Sequence, residues 1–263
     1  MTATYLDKIL DDHRTAAEND TRSIEALIDG AKAASPTRGF RHALESASGL
    51  AVISEVKRRS PSKGDLAADL DPATVAQEYV AGGANCLSVL TDEAYFGGSP
   101  ADLAAARSAV SIPALRKDFT VSAADVCDAR LMGADAVLLI VAALDDAELA
   151  DFAALARELT LDVLVEIHDE AELERALAFD ADLIGVNQRD LVTFEVDTDR
   201  AVRMAPKLPA GVVRVAESGV QGPTDAALLA DAGYHAVLVG ESLVKAGSRA
   251  DAVAALRAIP RQS

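Results

Sequence analysis

The stretch GLAVISEVKRRSPSKGDL, residues 49–66, begins as a buried β-strand, then places Glu55 and Lys57 two residues apart and breaks into Ser-Pro-Ser-Lys-Gly. A continuous apolar run is how a parallel strand covered on both faces reads. Charge at its end needs a reason, because an ion taken out of water costs several kcal/mol even after relaxation. Alternate side chains of a strand share a face, so Glu55 and Lys57 lie on one side of the strand, about 6.6 Å apart at ~3.3 Å per residue.

Seven further runs share this aliphatic character: CLSVL from 86, PALRKDF from 113, ADAVLLIV from 134, LDVLVEI from 161, DLIGVN from 182, GVVRVAES from 211 and HAVLVG from 235. Helical patterns follow the strands in turn, over 72–81, 99–109, 122–131, 145–159, 169–178, 197–206, 223–232 and 249–258. Pro72 in DPATVAQEY and Ser122 in SAADV suit helix starts. Glycines in AGGANC, LMGADAV and DAGYHAV suit helix stops just before a strand. Eight βα units predict an α/β fold, a closed (β/α)8 TIM barrel rather than an open doubly wound sheet, and no G-x-G-x-x-G follows the first strand. Residues 1–263 are read as one barrel domain, of which 1–48 form an N-terminal helical extension. Periodicity does not say which end of the barrel the extension covers.

Half of the residues are hydrophobic but only 4% are aromatic, so the core is built from Ala, Val, Leu and Ile. A formal charge of −17 argues against nucleic acid and anionic membrane as partners. Any anionic ligand is therefore held by a few local groups. Cys86 and Cys127 form no CxxC and read as buried, inert thiols, while four dispersed His give no metal-ligand spacing. No run reaches the roughly 18 apolar residues of a membrane span, and the charged N-terminus has no apolar signal core. A cytoplasmic protein without a metal is the expectation.

In such barrels, function sits where the strands exit at their C-terminal ends. Glu55 and Lys57, Lys117, Glu166, Asn187 with Arg189, and Glu217 with Ser218 all fall there, on five different strands. Folding alone has little reason to gather so many costly groups at one end of a core. His168 and Asp118 lie just beyond such groups and read as supporting residues. AESGVQGPTDAALL and LVGESLVKAG place Ser218, Gly219 and Gly240 at the two strand ends where these barrels hold phosphate, and Ser60 adds a hydroxyl. Lysines and carboxylates beside a phosphate suit proton transfer on a sugar-phosphate carbonyl. An aldolase-type Schiff base at Lys117 or Lys57, and a barrel that binds sugar phosphate without turnover, both stay open on these residues.

The motifs VISEVKRRSPSKGDL, TDEAYFGGS, SIPALRKDF, ADAVLLIVAAL, VLVEIHDE, IGVNQRDL and VAESGV resemble the indole-3-glycerol phosphate synthase family of tryptophan biosynthesis. The resemblance runs from about residue 45 to 245 and includes the Ser60-Pro61-Ser62 turn. It implies cofactor-free closure of an indole ring on 1-(2-carboxyphenylamino)-1-deoxyribulose 5-phosphate, with loss of carbon dioxide and water. By resemblance, Lys117 is the general acid on the ketose carbonyl, Glu166 its partner, and Lys57 the contact to the anthranilate carboxylate. Glu55 orients the lysines, and Asn187 and Glu217 hold hydroxyls and the closing ring near Arg189. Phe96 and Phe119 flank the aromatic ring, and Ser60, Ser218, Gly219 and Gly240 bind phosphate. Glu241 replaces a small hydroxyl residue of some relatives and is expected to point away from the phosphate. The resemblance leaves contact with other tryptophan-pathway enzymes open.

Overall fold

Eight parallel strands form a closed barrel: β1 (Ala51–Val56), β2 (Cys86–Leu90), β3 (Ala114–Lys117), β4 (Ala136–Ile140), β5 (Asp162–Ile167), β6 (Leu183–Asn187), β7 (Val213–Glu217) and β8 (Ala236–Val239). Each pairs with its neighbours in sequence, and β8 returns to β1. The computed structural model describes residues 4–61 and 63–261. Ser62, the third residue of the expected turn after β1, lies outside the described residues.

Side-chain parity divides the core in two. Ala51, Ile53, Leu115, Leu138, Leu164, Val215 and Leu238 fill the barrel, while Val52, Leu87, Val137, Val165, Ile184 and Val237 pack under the helices. At roughly 1.5–3 kcal/mol for each buried Val, Leu or Ile, both layers hold the strands in register. The interior columns continue into Glu55, Lys117, Glu166, Asn187 and Glu217 at the exit rim.

The helices are α1 (Tyr5–Glu18), α2 (Ile24–Ala33) and α3 (Phe40–Glu45), then α4 (Pro72–Ala81), α5 (Glu93–Phe96), α6 (Pro100–Ala109), α7 (Ala123–Leu131), α8 (Asp146–Glu158), α9 (Glu170–Leu177), α10 (Arg200–Met204), α11 (Pro223–Asp231), α12 (Glu241–Val244) and α13 (Arg249–Arg257). Asp71, Ser122, Asp145 and Asp169 accept from backbone N–H groups of their first turns, satisfying donors that the helix leaves open. Gly83, Gly133 and Gly233 follow the ends of α4, α7 and α11 with φ of 90°, 89° and 94°, the left-handed conformation that turns the chain into the next strand. The pattern expected over 197–206 is shorter. Asp199 gives α10 no side-chain cap, and Ala205–Lys207, containing Pro206, forms a 3₁₀ turn instead. The loop after β1 carries an unforeseen hairpin, Arg59–Ser60 against Gly64–Asp65.

The extension runs from one end of the barrel to the other. Phe40 and Leu44 of α3 are fully buried against the strand starts, where Asp135 and Asp162 accept from the backbone N–H groups of Arg38 and Arg41 at 2.8 Å each. From there the chain leads back through α2, packed on α7, to α1 at the exit rim. Among the described residues, no helix is long and apolar enough to cross a membrane.

Candidate active site

The thirteen residues given catalytic or binding roles in the sequence line one cavity at the exit rim: Lys117, Lys57, Glu166, Glu55, Asn187, Glu217, Phe96, Phe119, Arg189, Ser60, Ser218, Gly219 and Gly240; Asp118 and Glu241 join them, and His168 lies outside its lining. Strand register sets their spacing. Asn187 lies opposite Glu217, and Leu90 opposite Lys117, so neighbouring strands deliver side chains at one height.

Two ion pairs and one further carboxyl occupy the floor. Lys57 pairs with Glu55, and Lys117 Nζ lies 3.4 Å from Glu166 Oε2. Asn187 Nδ2 donates to Glu166 Oε1 at 3.0 Å, and the Arg189 backbone N–H donates to Asn187 Oδ1 at 3.0 Å, which fixes the orientation of the amide. Burial alone would raise the pKa of Glu166, but the Lys117 charge, with His168 and the Asn187 hydrogen bond, holds it below the ordinary carboxylate value. Burial also opposes the charge on Lys117, yet Glu166, Glu217 and Glu55 keep the ammonium protonated well into the alkaline range. Glu217 goes the other way. Burial and then the Glu166 charge push it well above its usual range, so it is the carboxyl of this floor whose charged form is least favoured.

A carboxyl whose folded pKa lies above its unfolded value contributes stability that is lost as pH rises. Glu217→Gln is therefore expected to raise Tm, with a gain that appears above about pH 4.3, the ordinary Glu value, and widens with pH. Thermal melts across a pH series check this; an equal or lower Tm at neutral pH would show that the carboxyl is not held against its preference.

The strands β7, β8 and β1 are adjacent around the barrel, so the loops carrying Ser218, Gly219, Gly240 and Ser60 meet. Ser218 and Gly219 are consecutive left-handed residues, φ 64° and 78°, and Gln188 Nε2 donates to Ser218 O at 2.8 Å. A Cβ on Gly219 would come within 2.9 Å of Val196 Cγ1, so this turn requires glycine for space as well as for φ. Ser242 Oγ donates to Val220 O at 2.9 Å and ties the two loops together. Glu241 accepts from Lys245 Nζ at 2.8 Å, a pairing that lowers its pKa. On the opposite wall the Phe96 and Phe119 rings lie 6.5 Å apart, tilted by 39°.

The residues the sequence did not reveal are mostly apolar. Leu90, Leu138, Ile140, Leu191, Phe194 and Leu238 complete the walls, and Tyr5, Leu6 and Ile9 of α1 close over the cavity. The Tyr5 ring packs edge-on against Tyr95 and Phe194, and Arg14 clamps Glu148 at 2.7 Å and Ala143 O at 3.1 Å. His13 Nε2 reaches Asp92 Oδ2 at 2.9 Å, with Asp118 Oδ1 at 3.9 Å. These three are the one group of potential metal ligands found among the described residues, brought together despite dispersed sequence positions. Their oxygens already have partners: Asp92 caps α5 through Tyr95 and Phe96, and Asp118 pairs with Arg116 at 3.0 Å. An arginine on one of the ligands disfavours a cation there.

His13 acts instead as a latch for α1. Burial would lower its pKa, but the Asp92 hydrogen bond and the charges of Asp118, Asp92 and Asp125 raise it overall. Its contribution is full below the unfolded value, about 6.5, and is lost as pH rises through the raised folded value. Hydrogen exchange is expected to show protection of Tyr5–Glu18 falling relative to β4 as pH rises above about 6.5, and His13→Gln should flatten that difference. Equal pH responses in both proteins would refute the latch.

A sequence model described as indole-3-glycerol phosphate synthase matches residues 6–256. An indole-3-glycerol phosphate synthase from a Nocardioides species is 54% identical over 228 residues, covering 87% of this chain and 86% of that protein. One from Mycolicibacterium vanbaalenii is 50% identical over 256 residues, covering 97% and 94%. Indole-3-glycerol phosphate synthase 1 of Streptomyces coelicolor is 52% identical over 241 residues, covering 91% and 89%. Among solved structures, thiamine phosphate pyrophosphorylase from Pyrococcus furiosus superposes with a TM-score of 0.59 over 80% of this chain and 94% of its own, at 15% identity, a likeness of fold alone. With relatives at half identity along almost its whole length, this chain belongs to the indole-3-glycerol phosphate synthase family.

Proposed function

We propose that the protein is a carboxy-lyase that converts 1-(2-carboxyphenylamino)-1-deoxyribulose 5-phosphate to indole-3-glycerol phosphate in tryptophan biosynthesis. The observation that carries this reading is the Lys117–Glu166 pair, buried at the floor of a cavity whose walls are apolar and aromatic. Its substrate is then a small phosphate-bearing molecule with an aromatic half, an ionised carboxylate and a ketose carbonyl.

In this reading the aromatic ring lies between Phe96 and Phe119, and the phosphate is held by Ser60, Ser218 and the backbone at Gly219 and Gly240. Lys57, steadied by Glu55, takes the ring carboxylate. The ring carbon bearing that carboxylate attacks the ketose carbon, and the negative charge developing on the carbonyl oxygen meets the Lys117 ammonium. An ammonium aimed at that oxygen in a site shielded from water supplies both charge stabilisation and a proton. Carbon dioxide then departs, leaving its electron pair in the ring, and the former carbonyl oxygen leaves as water. Glu166 takes the proton lost from the closing ring, and Asn187, Glu217 and Arg189 hold hydroxyls and ring in line.

A reducing cytoplasm suits the two unpaired, buried thiols Cys86 and Cys127, and contact with other tryptophan-pathway enzymes is compatible with this reading. Indole fluorescence is expected when purified protein meets the carboxyphenylamino substrate. Folded protein that gave none would overturn the reading. Borohydride in the presence of substrate is expected to leave Lys117 and Lys57 unmodified, whereas a reduced adduct at either would favour the aldolase-type alternative.

A further inference from the structure

His168 follows the last residue of β5 and stands between the cavity and the outside of the barrel. Its Nδ1 lies 3.0 Å from Glu172 Oε2 on α9, and the same oxygen accepts the His168 backbone N–H at 2.7 Å. Glu172 thus fixes Nδ1 as a donor. The other nitrogen, Nε2, is buried, has no hydrogen-bond partner, and lies 3.6 Å from Glu166 Oε1. Glu166 itself is wholly buried. On its far side His168 lines a separate, open cleft with Asp197, Arg200 and Arg203.

The proposed reaction needs such a connection. A carboxylate leaves as neutral carbon dioxide and its electron pair restores the aromatic ring; a C–H bond of the neighbouring methylene then breaks, and its electron pair expels the hydroxyl. The former carbonyl oxygen gains two protons to leave as water and the methylene gives one back to Glu166, so each turnover draws one net proton, which the Lys117–Glu166 pair must regain from solvent. Of that pair, Lys117 keeps some exposure to the cavity, whereas Glu166 is buried beneath it.

We propose that His168 is a proton-relay residue, whose charged ring gives its Nε2 proton to Glu166, resetting the Lys117–Glu166 pair between turnovers, and is recharged from the side of the outer cleft. The inference rests on Glu166 being a reacting group. The charged groups around the ring are Glu166 on β5, Glu172 on α9 and Arg200 on α10. Burial and Arg200 lower the histidine pKa, but the Glu172 hydrogen bond and the two carboxylate charges raise it overall, which favours the charged ring that a relay requires.

The test compares His168→Gln and His168→Ala with the unmodified enzyme in single-turnover and steady-state fluorescence assays, with and without added imidazole, alongside Glu166→Gln. Both His168 variants are expected to lose about tenfold in turnover with KM unchanged, less than the ~100-fold or more of a directly acting group. Imidazole is expected to restore the rate, which a purely structural role would not permit. Wild-type rates in both His168 variants, or a loss that imidazole leaves untouched, would overturn the relay. If Glu166→Gln turns over normally, the assignment of Glu166 fails. If it is inactive while the His168 variants are normal, the relay alone fails.

Discussion

Lys117→Ala is expected to cut turnover by at least about 100-fold, the lower end for a positioned acid or base, in protein that still folds. Lys117 ends the interior column of β3 and is the lysine paired with Glu166. Without it, Glu166 loses the largest of the charges that hold its pKa down, and burial then favours its neutral form. The variant would lose the acid and the ionised state of its partner together. Lys117→Arg separates charge from proton donation: a guanidinium keeps the positive charge but does not give up its proton in proteins. It is expected to remain nearly as inactive as alanine. Turnover measured by indole fluorescence, with circular dichroism to check folding, decides the matter. An arginine variant near wild-type rate would mean that Lys117 acts by charge alone.

Groups that break a physical rule were the ones legible in the sequence. Glu55, Lys117, Glu166 and Glu217 stand out because folding has no use for ions at the end of a buried strand, and strand parity then puts each on the interior face. Leu138, Ile140 and Leu238 obey every rule of a core strand, so nothing in the sequence separates wall from core. Phe96 was reached through family resemblance alone, since the four-residue helix α5 that carries it is too short to leave a periodic pattern. The α1 helix is amphipathic whatever it packs on, and its place over the cavity depends on contacts far away in sequence, such as Tyr5 with Phe194 and Arg14 with Glu148. Loop chemistry likewise hid the hairpin at Arg59–Ser60 and shortened α10, where cap and proline outweigh periodicity.

Gly240→Ala is expected to cost roughly 100-fold in kcat/KM, the scale on which small misplacements of reacting groups act. Gly240 has φ −118°, outside the left-handed region that favours glycine, so the substitution acts chiefly through its methyl group. That methyl would lie 3.1 Å from Glu55 Cδ and 3.2 Å from Lys57 Nζ. Glu55 has little room to yield, because its side chain is almost wholly buried beneath the other charged groups of the floor. The Glu55–Lys57 pair must then shift, and Lys57 moves off the position from which it meets the carboxylate. Overpacking costs about 1–3 kcal/mol, so Tm falls modestly while activity falls far more. Gly247→Ala is the matched control: nothing lies within 4 Å of its added Cβ and its φ is not positive, so both activity and Tm should hold. Wild-type kinetics in Gly240→Ala would show that the exact placement of the Glu55–Lys57 pair does not govern the reaction. Equal losses in both alanine variants would trace the effect to the loop rather than to the pair.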